Sequence, residues 1–131
     1  SRLPVEGLRP RSVRYLHHQT VLNYHFYLAD ENILNLGPRT DAVLASYQLG
    51  QETAYLLLVV YPDAAKAEKA LQGFIRHYLP EAESTGLALL ENGKWSAARI
   101  EGKLLVIVLD SDSRRLAKGL LEKVKKNSFD F

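Results

Sequence analysis

The chain has 131 residues, 47% of them apolar and 24% charged, with a formal net charge of +2. That length suits one domain of ordinary size with its own core, and the composition is that of a globular chain rather than a disordered one. It contains no cysteine, which excludes disulfides, thiolate nucleophiles and zinc–thiolate sites, and no apolar run approaches the ~20 residues of a membrane-spanning helix.

Residues 1–11 hold two prolines and a glycine without periodicity and read as an extended lead-in. Ser12–Leu16 suits a short strand. From Thr20 the apolar residues Val21, Leu22, Tyr24 and Phe26 fit a helical turn or a strand equally well. "NLGPR" at Asn35–Arg39 ends that segment, since glycine and proline both interrupt regular structure. Asp41–Leu49 then alternates, with Val43, Ala45, Tyr47 and Leu49 on one face and Ala42, Leu44, Ser46 and Gln48 on the other. After a turn at "GQE", the run "AYLLLVVY" at Ala54–Tyr61 is apolar on both faces, as in an interior strand covered from both sides.

"YPDAAKAEKALQGFIRHYLP" is the clearest helix. Asp63 can cap it, Pro80 ends it, and Ala67, Ala70, Leu71, Phe74, Ile75 and Tyr78 form its buried stripe. Lys66, Glu68, Lys69 and Arg76 lie off the stripe and are expected in solvent. Three strand-like segments follow at Gly86–Leu90, Lys94–Ile100 and Lys103–Leu109. Asn92-Gly93 predicts a two-residue hairpin loop, and Glu101-Gly102 gives a similar signal. "DSDSRRLAKGLLEKVKKN" predicts a closing helix capped by Ser111 or Asp112, with Leu116, Leu120, Leu121 and Val124 buried. Residues 127–131 form a tail with two phenylalanines. From Asp41 the order is β-β-α-β-β-β-α. This predicts a single α+β domain over residues 1–131, a mainly antiparallel sheet of about five to six strands with two long helices on one face.

Constellations that carry chemistry are scarce. His17, His18, His25 and His77 lack zinc-site spacing, and no cofactor is expected. No Gly-x-Ser-x-Gly elbow and no glycine-rich phosphate loop occurs. Glu81 and Glu83 sit after a proline with no apolar surround to shift a pKa. The basic last helix has no aromatic to stack bases, and +2 is a small charge, so nucleic acid is not the expected partner. His25, Asp30 and Glu31 form a site only if loops bring them together. Trp95 and Arg99 share a strand face, and an open face there would be a binding patch; otherwise Trp95 packs on the lead-in or on Tyr24–Tyr27.

"NYHFYLADENILNLG", "AVLASYQLG", "YLLLVVYPDAAKAEKAL" and "GKWSAARIEGKLLVIVL" together resemble an uncharacterised bacterial family of predicted exported proteins, a domain of unknown function. The resemblance runs from Leu3 to Val124 and is to the second half of longer family proteins. It implies an exported or envelope location and no established activity, and the family brings no known catalytic residues to carry over. The chain lacks a methionine even at its start, which fits a removed leader, an upstream domain or a trimmed start. The sequence thus leads to a non-catalytic binding or interaction module with an unknown protein or small-molecule partner. Its ligand surface is expected near Trp95, Arg99, Tyr24 and His25. The alternative is a small metal-dependent or hydrolytic enzyme built on His25, Asp30 and Glu31.

Overall fold

A computed structural model describes residues 3–29, 31–78 and 86–124. After a short 3-10 turn at Pro10–Ser12 come β1 (Arg14–Leu16), α1 (Gln19–His25), β2 (Asp41–Leu49), β3 (Glu52–Val60) and α2 (Ala64–Tyr78). β4 (Leu87–Leu89), β5 (Trp95–Glu101), β6 (Leu104–Ser111) and α3 (Arg114–Lys123) complete the described chain. The six strands form one antiparallel sheet in the order β1-β2-β3-β6-β5-β4. The fold is α+β, and from Asp41 onward the elements follow the expected order. α1 resolves the ambiguous segment after Thr20 as a helix.

β3 and β6 are the middle of the sheet, with Leu57 opposite Ile107 and Leu58 opposite Val106. Both strands are apolar on both faces, so water must be excluded from each side. On one side Ala42, Leu44, Leu57, Val59, Leu105 and Ile107 meet Ala67, Ala70 and Phe74 of α2 and Leu22 of α1. On the other, Val43, Ala45, Leu56, Leu58, Val106 and Val108 meet Leu116, Ala117, Leu120, Leu121 and Val124 at α3. Each fully buried aliphatic of these two layers is worth roughly 1.5–3 kcal/mol relative to exposure. The two long helices therefore lie on opposite faces, contrary to the one-face arrangement expected. The cause is legible in β3 itself, since two helices on one side would leave Leu56 and Leu58 in water.

The alternation in β2 and the stripe of α3 fall as predicted, and Ala67, Ala70, Leu71, Phe74 and Tyr78 of α2 face the core, while Ile75, expected in that stripe, is only half-buried. Asp63 caps α2, its Oδ1 accepting from Lys66 N–H at 2.8 Å. α3 is capped by Ser113 rather than by Ser111 or Asp112. Its Oγ accepts from Leu116 N–H at 3.0 Å. Ser111 ends β6, and Asp112 is turned toward Thr53. The β4–β5 loop also differs from the two-residue turn expected. Leu90 N–H donates to Lys94 O at 2.8 Å and Gly93 N–H to Leu90 O at 2.9 Å. Only Gly93 has a positive φ, so the loop is a three-residue turn with glycine in the left-handed position.

The lead-in is built into the fold. Leu3 is buried in the α3-side core, and Tyr47 Oη donates to Pro4 O at 2.7 Å. Gln48 N–H donates to Gly7 O at 2.8 Å and Arg9 N–H to Ser46 O at 3.0 Å. These bonds satisfy the edge of β2 that the short β1 leaves uncovered. The 127–131 tail lies outside the described residues.

Candidate functional site

The four residues expected to form a ligand surface are held on two sides of the sheet. Trp95 and Arg99 do share a face of β5, with Ala97 between them, but α3 covers that face. Trp95 packs at the margin of the α3-side core with the Arg114 guanidinium 5.9 Å from its ring centre. Arg99 is committed to the end of α3. Its Nε donates to Leu121 O at 2.9 Å, Nη2 donates to Val124 O, and Nη1 donates to Glu101 Oε2 at 3.1 Å. Four backbone carbonyls go unpaired at any helix C-terminus, and Arg99 takes up two of those near this one. Tyr24 and His25 lie on α1, whose buried Leu22 joins the opposite core. Tyr24 is 85% exposed, and its ring meets the exposed His25 edge-on at 5.2 Å.

Glu31 is exposed, whereas Asp30, Glu81 and Glu83 lie outside the described residues. Among the described residues no group of three His, Cys, Asp or Glu side chains is placed to hold a metal ion. His17 Nδ1–H donates to Thr40 O at 2.5 Å. Two buried serines are turned onto backbone, Ser96 Oγ donating to Val108 O at 2.5 Å and Ser111 Oγ to Ser113 O at 2.9 Å, while the Oγ of buried Ser46 accepts from Arg9 Nη1 at 3.4 Å.

A cleft forms elsewhere, where the segment after α1 returns to the sheet and meets the start of α2. It encloses about 490 Å³ between Asn35–Thr40 on one wall and Tyr61, Pro62, Lys66 and Lys69 on the other. The first wall is braced by side chains. Asn32 Oδ1 accepts from Leu36 N–H at 3.0 Å while its Nδ2 donates to Leu36 O at 2.9 Å. Thr40 Oγ1 accepts from Gly37 N–H and donates to Gly37 O. Tyr61 Oη, buried beneath, donates to Leu34 O at 2.5 Å. Burial pushes the Tyr61 hydroxyl well above its ordinary pKa, which keeps it a neutral donor. Asn35 holds a φ of 53°, a conformation asparagine tolerates better than most residues.

Three cations, Arg39, Lys66 and Lys69, line this cleft, and no carboxylate does. Lys66 and Lys69 are three residues apart on α2 and so share a face. All three side chains are exposed, and none has an ion pair among the described residues. Elsewhere Lys94 pairs with Asp112, Arg99 with Glu101 and Lys123 with Glu6. The two hydroxyls in the cleft, on Thr40 and Tyr61, are spent on backbone oxygens. Its residues can therefore hold and neutralise a negative group.

Sequence reasoning missed this site. It read "NLGPR" as a stop signal and Lys66 and Lys69 as solvated helix residues. Only the return of the loop across α2 makes neighbours of Arg39 and the two lysines. No helix among the described residues is long and apolar enough to cross a membrane. No family model, no curated protein and no solved structure matches this chain.

Proposed function

We propose that this chain is a non-catalytic binding module whose ligand seats in the cleft between Asn35–Thr40 and the start of α2. The observation that carries this reading is the cleft itself, a concave site of small-molecule size with a pre-braced wall. A wall fixed by its own hydrogen bonds loses little entropy on binding, which favours recognition. Trp95 and Arg99 lie against α3, and the exposed Tyr24 and His25 lie on α1, whose buried face joins the opposite core. An exported or envelope setting in a bacterium remains part of the proposal. It rests on the resemblance alone, and fractionation of cells producing the full-length protein checks it.

The cleft reading is tested by recording amide NMR spectra of the labelled chain against a fragment set of anionic, neutral and cationic compounds. Shifts should gather on residues 35–40 and 61–69. Shifts gathered instead along α3, or no saturable shift with any fragment, would overturn it.

A further inference from the structure

The proposal here rests on the binding-cleft reading and adds the chemistry of the ligand. We propose that the cleft recognises the phosphate group of a small soluble phosphomonoester. Three cations with no acid among them line one cavity. A carboxylate monoanion would leave most of that charge unmatched. A phosphomonoester carries about −1.5 to −2 at neutral pH and presents three strong acceptor oxygens. Arg39 offers a planar fork from one wall, and Lys66 and Lys69 offer point charges from the other.

The position of the lysines strengthens the case. α2 has no acidic residue in its first turn, and Lys66 stands there, where the helix dipole disfavours a cation. Asp63 offsets part of this as the cap, its Oδ1 occupied by Lys66 N–H. One of the first-turn N–H groups is thus already taken, and the three cations of the cleft are the side chains placed to hold an incoming anion. A volume of about 490 Å³ is more than an oxyanion alone fills. The remainder, edged by Pro38, Pro62 and Tyr61, suits an organic body attached to the phosphate.

The test titrates the chain with inorganic phosphate, glucose 6-phosphate, glucose and citrate, followed by amide NMR and calorimetry at two salt concentrations. Expected are saturable shifts at Arg39, Thr40, Lys66 and Lys69 with both phosphates, tighter for glucose 6-phosphate, and none with glucose. Lys66→Ala with Lys69→Ala should weaken glucose 6-phosphate about tenfold, and the same loss should follow from adding salt. Both sites are exposed and alanine favours a helix, so the variant should fold. Arg115→Ala with Lys118→Ala on α3 should leave binding unchanged. Equal binding of citrate, equal loss in the α3 variant, or capture only by phosphatidylcholine vesicles doped with phosphatidic acid would each overturn the proposal. If neutral or cationic fragments occupy the cleft while both phosphates fail, the cleft reading stands and the phosphate assignment falls.

Discussion

Gly86 enters β4 with a φ of 84°, and its carbonyl accepts Ala98 N–H at 3.1 Å. A Cβ placed there would stand 2.2 Å from the Ala98 carbonyl oxygen, which is backbone and cannot rotate away. Gly86→Ala therefore carries both a left-handed strain and a collision, and should cost about 3 kcal/mol or more. The midpoint of urea unfolding measures this. A midpoint within error of the parent would show that β5 yields freely at Ala98. Asp112 offers a second test at this scale. Its carboxylate accepts from Lys94 Nζ and, at 2.8 Å, from Thr53 N–H, and these bonds hold its pKa below the ordinary 3.8. A depressed pKa means that the contribution is whole above 3.8 and fades as pH falls through the lower folded value. Lys94, raised above its ordinary 10.5 by the same partner, contributes fully below 10.5 and loses that share as pH climbs through its higher folded value. Asp112→Asn should flatten the acid limb of stability against pH and leave its neutral plateau lower. Unfolding midpoints between neutrality and strong acid, for both proteins, decide it. Such pairs were not legible in sequence, because Asp112, Lys94 and Thr53 come from three strand ends that only the sheet order brings together.

At the scale of elements, the helices were the most readable parts, since apolar residues at three- and four-residue spacing fix both their extent and their buried face. Caps were less readable. "DSDS" offers four side-chain acceptors in a row, and the choice of Ser113 follows from β6 running on through Ser111. The lead-in was legible only as an extended segment, because its role is to donate and accept along β2, which leaves no periodic trace. The bonds of Arg99 to α3 were hidden for a related reason. The spacing of Arg99 from Trp95 marks the shared face correctly but says nothing of α3 ending above it. Hydrogen bonds to a charged donor contribute about 1.5–3 kcal/mol. Arg99→Met keeps the stem and removes the donors, so it should lower stability by about 2 kcal/mol and speed amide exchange in the last turn of α3. Ligand binding in the cleft should not change. A loss of binding without a loss of stability would return Arg99 to the role of ligand contact.

For the whole molecule, the decisive feature is that β3 and β6 serve two cores at once. The double-faced apolar run at Ala54–Tyr61 already required cover on both sides, and placing both helices on one face neglected that requirement. What sequence alone could not supply was the crossing of α2 to the far half of the sheet, because hairpin signals fix neighbours and not the order in which hairpins join. Sharing the central strands has a thermodynamic consequence. Phe74 is fully buried under α2 and Leu120 is 1% exposed under α3, on opposite faces. Phe74→Ala should cost about 3–5 kcal/mol and Leu120→Ala about 2–5 kcal/mol. If the two layers stand or fall with β3 and β6, each variant shifts the whole unfolding curve, and tryptophan fluorescence and far-ultraviolet dichroism stay superimposed. Trp95 reports from the α3 side alone, so it is a one-sided probe of a two-sided structure. Should Phe74→Ala leave the Trp95 transition in place while dichroism melts earlier, the α2 layer would be a separate unit, and the cleft at its N-terminal end would open independently of the sheet.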